Sequence, residues 1–375
     1  MPAEIEPFRA ITISRLAHAM KAQGQRVIHM EFGQPSTGAP SAAIAAAHAV
    51  LDRDPMGYWE SPDLTGAIAG LYRSRYGVTV DPSQVILTCG ASPALVLALA
   101  SRFVPGDRIA FARPGYVAYR NTVAGLHLTP VEIPCGADTR YQLTADLVAA
   151  LDPAPQGLII ASPANPTGTI IPATELAAIA DVCRRRGIAI ISDEIYHGLS
   201  FVEPAQSILA FAPDAMVVNS FSKYFSMAGW RLGWLVCPPD RLARARAYVG
   251  NLFLTAPSLA QHAGLAALGC TDELEGHVDT YRRNRALLLE ALPRLGITRI
   301  APPDGAFYIY ADIGHLTSDS LAYCEALLRA TGVATAPGVD FDPVDGARHI
   351  RFSFAVSTPE VEEALDRVAR FITGR

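Results

Sequence analysis

With 375 residues, half of them hydrophobic and 18% charged, the chain has the composition of a packed globular protein and a length that suggests two domains. A net charge of −5 without a dense basic cluster argues against nucleic acid as a partner. No apolar run approaches the roughly 18 residues of a membrane span. The six cysteines, Cys89, Cys135, Cys183, Cys237, Cys270 and Cys324, form no C-x-x-C pair and read as free thiols of a reducing compartment.

Taken in chain order, the opening "MPAEIEPFRAITISRLAHAM" carries early acids and no long apolar core, so it does not read as a secretory signal. The expectation is a cytoplasmic protein. From about residue 84, short apolar runs alternate with helical periodicity, which predicts an α/β architecture with a largely parallel sheet. "SQVILTC" reads as a strand and "SPALVLALASRFV" as the following helix; "DRIAFA", "YVAYRNTVAGL" and "HLTPVEIP" read as strand, helix and strand. "QGLIIAS" is a buried strand, and "PATELAAIADVCRRRG" a helix with basic residues in its last turn and a closing glycine. "GIAIIS", "AMVVNS" and "RLGWLVC" are further strands. The helix "DELEGHVDTYRRNRALLLEAL" leads to a smaller lobe with strands near "AFYIYAD" and "HIRFSFAV" and a final helix "TPEVEEALDRVARFI".

Ligands of open α/β sheets bind at the carboxyl ends of the strands. Here four consecutive strand ends carry chemically loaded residues: Gly90, Ala91 and Ser92 in "TCGAS", Asn165 in "ASPANPTG", Asp193 and Tyr196 in "ISDEIYHG", and Ser220, Ser222 and Lys223 in "NSFSK". The small residues of "TCGASPAL" open a helix and offer backbone N–H groups to a phosphate, although many such turns are glycine-rich for steric reasons alone. Asp193 follows an apolar strand; it either caps the next turn or pairs with a ligand cation. Tyr196, three residues on, shares its face. Arg231 is a surface ion pair or a phosphate clamp with Ser220 and Ser222. Arg351, between Ile350 and Phe352, is paired internally or reserved for a carboxylate. His197 suggests no metal, because its neighbours on an irregular turn do not converge.

Lys223 stands out by composition. It is one of two lysines among 31 basic residues; the other, Lys21, sits in a polar N-terminal run. Arginine replaces lysine in most surface roles but cannot lose its proton and attack a carbonyl. A Schiff-base role explains the retained lysine; chance in an Arg-rich chain is the bland alternative.

A phosphate seat, a buried carboxylate, a phenol and such a lysine together specify pyridoxal 5′-phosphate (PLP). "SFSKYFSMAGWRLG", with "NPTG", "SDEIY", "GYWESPDLTGAIAGLY" and "IRFSFAVS" in order, resembles the class I/II aminotransferases of PLP fold type I over nearly the whole chain. The resemblance implies a large domain at 43–275 with a mostly parallel seven-stranded sheet, and a small α/β domain from 1–42 and 276–375. It implies that Lys223 bonds the cofactor, Asp193 partners the pyridine nitrogen, and Tyr196 and Asn165 reach the ring oxygen. Tyr116 would stack on the ring; Ala91, Ser92, Ser220, Ser222 and Arg231 would form the phosphate cup. Tyr58 would reach the neighbouring subunit's phosphate, implying a homodimer with shared sites. Gly33, Asn165 and Arg351 would bind the substrate carboxylate.

Three positions depart from the family's usual pattern: Ala161 where Asn is common, "GQPSTGAP" near the substrate rim, and Ser92 where dicarboxylate-preferring relatives carry Lys. The expected reaction moves an amino group from a neutral, hydrophobic or aromatic L-amino acid to a 2-oxo acid such as 2-oxoglutarate or pyruvate. The pocket is expected to include "FRAITIS", Tyr58, Trp59, "NLFLTAPS" and Phe307, with Arg9 the one candidate for a distal carboxylate. A C–S lyase acting by β-elimination is the alternative on the same fold. A PLP-binding transcriptional regulator would need a fused DNA-binding module, and a cofactor-free Schiff-base aldolase would not need Asp193 or the phosphate seat.

Overall fold

The computed structural model describes residues 5–374; the first four residues of the N-terminal stretch, and Arg375, lie outside the described residues. Among these the strands in chain order are β1 (Ile28–Met30), β2 (Val85–Thr88), β3 (Arg108–Arg113), β4 (Thr129–Pro134), β5 (Gly157–Ala161), β6 (Ala189–Asp193), β7 (Met216–Ser220), β8 (Gly233–Val236), β9 (Tyr308–Asp312), β10 (Val333–Pro337) and β11 (His349–Ser353). They form a seven-stranded sheet in the order β2-β8-β7-β6-β5-β3-β4 and a four-stranded sheet in the order β1-β10-β11-β9.

β7, β6, β5, β3 and β4 pair in parallel, and β8 runs antiparallel to both β7 and β2. Two reversals restore direction, so β2 ends on the same edge as β5, β6 and β7. The four loaded strand ends therefore share one edge, but they are not consecutive in the sheet: β8 separates β2 from β7. Because β8 runs the other way, it begins where its neighbours end, which delivers Arg231 to that edge. β5 to β7 are near-continuous apolar runs because helices cover both faces of the sheet.

Helix punctuation follows the sequence. The helix Ala173–Arg186 ends with three arginines and the left-handed Gly187 (φ 66°). In the four-stranded sheet, β1 joins β10 in parallel, while β10, β11 and β9 pair antiparallel. β1 and β10 carry no clear signal in sequence. β1 has only three residues, and β10 is buried throughout, so neither alternates. One apolar cluster runs through both sheets and includes Leu158, Tyr196, Phe221, Phe307 and Val333.

Candidate active site

A cavity of about 310 Å³ opens at the shared strand edge, beside the four-stranded sheet. Of the residues singled out in sequence, Gly33, Ala91, Ser92, Tyr116, Asn165, Asp193, Tyr196, Ser222, Lys223, Arg231 and Arg351 line it. Ser220 lies just beneath, its hydroxyl accepting the Ser222 N–H at 3.0 Å. Tyr58 stands apart and is 84% exposed.

Lys223 follows β7, and its Nζ donates to the Gly33 carbonyl across the cavity. Burial first, then the Arg351 and Arg231 guanidinium groups, pull its ammonium down to about 8, against the opposing pull of Asp193. The neutral amine is thus accessible near physiological pH. Gly33 has no room for a side chain: a Cβ would lie 1.7 Å from the Tyr308 hydroxyl.

Asp193, at the end of β6, accepts the Tyr119 hydroxyl at 2.7 Å and the Ile195 N–H at 3.1 Å. One oxygen thus caps the following turn, the first of the two readings of this carboxylate. Burial pushes its pKa up, with the Tyr119 and Ile195 hydrogen bonds and Lys223 opposing. No cation appears among its hydrogen-bond or ion-pair partners among the described residues. A cationic ring nitrogen would supply what burial removes.

The phosphate-seat residues meet as a second cluster. Gly90 (φ 101°) precedes the helix Ala91–Arg102, whose N-terminus has no side-chain cap. Its first N–H groups are therefore free donors. Arg231, held at φ 56°, donates to the Ala228 carbonyl at 2.8 Å and the Cys89 carbonyl at 3.1 Å, not to Ser220 or Ser222. A Cβ on Gly90 would sit 2.5 Å from Arg231 Nη2, so the glycine makes this approach possible.

Arg351 is 1% exposed and has no carboxylate partner among the described residues. Its Nη1 donates to Asn165 Oδ1 at 2.7 Å and its Nη2 to the Glu31 carbonyl, while Nε has no partner. The guanidinium lies between the rings of Tyr308 (4.4 Å) and Phe341 (4.7 Å). A buried cation without an anion is costly, and a substrate carboxylate would complete it. Since the Asn165 oxygen is taken by Arg351, its amide nitrogen is left to donate.

Two neighbours are absent from the sequence-based set. Tyr119 reaches Asp193, and its spacing of three from Tyr116 in "YVAY" is the available signal. Tyr308 shares a 2.6 Å hydrogen bond with Tyr196 and lines the cavity. Phe307, expected in the pocket, instead packs against Tyr196 and Tyr281 in the core, because adjacent residues leading into a strand face opposite ways. Of "FRAITIS", Phe8 lines the cavity. Arg9 pairs with Glu6 at 3.7 Å, and Tyr58, Trp59 and "NLFLTAPS" do not line it. His197 is a hydrogen-bonded core residue: Nε2 donates to the Ser162 carbonyl, which leaves Nδ1 to accept the Tyr76 hydroxyl at 2.7 Å. Burial holds it down to about 3.

Comparison with known proteins places this geometry in a family. Residues 25–368 match the family described as aminotransferase class I and II. The chain is 45% identical to a valine–pyruvate aminotransferase of Mycobacterium tuberculosis, covering 99% of this chain and 97% of that one. It is 31% identical to an aspartate/prephenate aminotransferase of Thermus thermophilus, covering 98% and 97%. A crystal structure of an aminotransferase from Mycobacterium tuberculosis superposes with a TM-score of 0.96 at 44% identity, covering 99% and 98% of the two chains. With matches over nearly its whole length, the chain belongs to the aminotransferase class I and II family, and its reaction is the transfer of an amino group from an amino acid to a 2-oxo acid.

Proposed function

We propose that the chain works as a PLP-dependent aminotransferase with a neutral, compact aliphatic amino donor, in a homodimer in the cytoplasm. PLP supplies an aldehyde that captures amino groups and a ring that accepts the electrons left when Cα loses its proton. The residues fit that group: the uncapped helix start at Ala91 and Ser92, with Ser220, Ser222 and Arg231, would hold the phosphate. Asp193 would hold the ring nitrogen, Asn165 and Tyr196 the ring oxygen, and Tyr116 one face. Arg351, with Gly33 beside it, would orient the donor through its α-carboxylate. Lys223 Nζ, neutral for a substantial fraction of the time near pH 8, would bond the cofactor and take the proton from the donor Cα.

One observation carries the substrate reading. Among the described lining residues the cations are Lys223, Arg231 and Arg351, and each is already assigned. None remains for a side-chain carboxylate, and Arg9 is paired with Glu6. The same modest cavity must also hold the cofactor ring and phosphate, which favours a small donor side chain. The valine–pyruvate relative supports this choice and favours pyruvate as acceptor. The relatives compared above are named aminotransferases, and no observation favours the lyase.

The domain division at 43–275 against 1–42 and 276–375 is supported by sheet membership, since β2–β8 fall in the first and β1 and β9–β11 in the second. The boundary falls inside the helix Thr271–Arg294, which runs from one to the other. The test of function is a panel of twenty amino acids, read as single-turnover loss of the loaded enzyme's visible band. Valine, alanine and leucine should react fastest. Aspartate outrunning them would refute the pocket reading, and ammonia released without an acceptor would point to a lyase.

A further inference from the structure

The segment ahead of the helix Arg9–Ala22 crosses the mouth of the cavity between two anchors. On one side, Asn121 Nδ2 donates to the Glu6 carbonyl at 2.9 Å. On the other, Asp340 accepts the Arg9 N–H on Oδ1 and the Ala10 N–H on Oδ2, both at 2.8 Å. Between them Phe8 lines the cavity, its ring edge-on to Tyr116 at 6.4 Å.

Phe8 occupies the N-cap of this helix and makes no side-chain cap. Ser, Thr, Asp or Asn is preferred there, because a short oxygen-bearing side chain satisfies the free N–H groups locally. Here the capping oxygens come from a residue 330 positions away, 1% exposed. Burying a carboxylate is costly unless it is fully used, and a serine at position 8 would cap the helix without it. The arrangement makes sense if position 8 is needed for an apolar ring. The anchor is also tied to the substrate end of the site. Phe341, next to Asp340, lies against the Arg351 guanidinium, and its carbonyl accepts the Gly115 N–H at 3.0 Å, one residue before Tyr116.

We propose that Asp340 is a positioning residue for donor selectivity: it caps the first helix from a distance and so places Phe8 as the wall that limits the donor side chain. The inference rests on the aminotransferase reading above. With its carboxylate on Arg351, the donor turns its side chain toward the Phe8 wall, where aliphatic groups pack and larger rings meet it.

The experiment compares PLP-loaded wild type with Phe8→Ala, Asp340→Ala, Asp340→Asn, and Asp340→Ala combined with Phe8→Ala or Phe8→Ser. Two quantities are read: kcat/KM for valine relative to phenylalanine with pyruvate as acceptor, and hydrogen exchange at the Arg9 and Ala10 amides. Phe8→Ala should lower the valine preference by about 10-fold or more, the scale of a lost apolar contact in a specificity pocket. Asp340→Ala should move the ratio the same way and speed exchange, with Asp340→Asn, which keeps one acceptor, in between. Asp340→Ala should add nothing to the ratio once Phe8 is alanine, because coupled residues are non-additive. Phe8→Ser in the Asp340→Ala background should restore protection at Ala10 but not at Arg9, because an N-cap serine accepts from the second or third helical N–H, and should leave selectivity relaxed, which separates capping from selection. Faster exchange in Asp340→Ala with an unchanged ratio, or an unchanged ratio in Phe8→Ala, overturns the proposal. Should Asp340→Ala fail to fold, Asp340→Asn decides: an unchanged ratio with faster exchange at Arg9 and Ala10 overturns the proposal, and a partly lowered valine preference supports it. Wild type that turns over no donor would instead overturn the functional reading, and this proposal with it.

Discussion

Burial and the neighbouring Arg351 guanidinium lower the Lys223 ammonium from 10.5 to about 8, so the proposed catalytic amine also contributes to stability. Between those two values the unfolded chain holds a proton that the folded protein has released, so rising pH favours folding. Below about pH 8 both states are protonated and the full penalty of the buried cation applies. The cofactor-free protein should therefore gain stability relative to Lys223→Met as pH rises from 7.5 to 10. The gain over that range should be about 2 kcal/mol, at roughly 1.4 kcal/mol per pKa unit. Urea titrations of both proteins at the two pH values measure it. A difference that stays flat or falls would show that Lys223 is not held in this environment.

The proposed phosphate seat belongs to no single residue but to three elements meeting: the end of β2, the helix Ala91–Arg102 and the start of β8. Gly90 and Gly233 let them close. A Cβ on Gly233 would lie 2.7 Å from the Gly90 carbonyl carbon, and one on Gly90 would lie 2.5 Å from Arg231 Nη2. Gly90→Ala should thus displace the guanidinium and force a side chain into φ 101°, at a stability loss of about 1 kcal/mol or more. PLP retention on dialysis should fall more than the melting temperature alone would suggest. Retention equal to wild type would mean that this junction does not bind the phosphate. Arg231 is an exposed arginine in the left-handed region, so its conformation is set by the junction rather than by its own preference.

At the scale of the molecule, the proposed shared site puts Tyr58 on a surface made for a second copy. Its loop is pinned by Ser258 to the Gly57 carbonyl at 2.7 Å and by Gln261 to the Trp59 carbonyl at 3.0 Å. Tyr58 is thus held outward, and Leu252 and Leu254 are exposed on the segment leading to those anchors. A second copy in the proposed homodimer would cover these side chains. Tyr58→Phe should weaken PLP retention, and mixing Tyr58→Phe with Lys223→Ala chains should yield hybrid dimers in which one site carries both lesions and the other neither. Activity of the mixture above that of either parent is expected; a fully active monomer in sedimentation would end the idea.

Local signals are enough for much of this. Hydrophobic periodicity marks the strands and helices of the larger sheet, and the parallel rule brings Asn165, Asp193, Ser222 and Lys223 to one edge because parallel strands end together. A lysine kept in an arginine-rich chain singles out Lys223 as a candidate for amine chemistry, with chance in an Arg-rich composition as the alternative. What tertiary structure alone decided is long-range pairing, where the partners are remote and no periodicity couples them. Tyr119 meets Asp193 across 74 residues, Tyr196 meets Tyr308 across 112, and Asp340 caps Ala10 across 330. Phe307 and Tyr308 are alike in sequence, yet only the packing of the four-stranded sheet sends one ring to the core and the other to the cavity. Residue type and local period determine which chemistry the chain carries; side-chain packing between distant segments determines which groups face it.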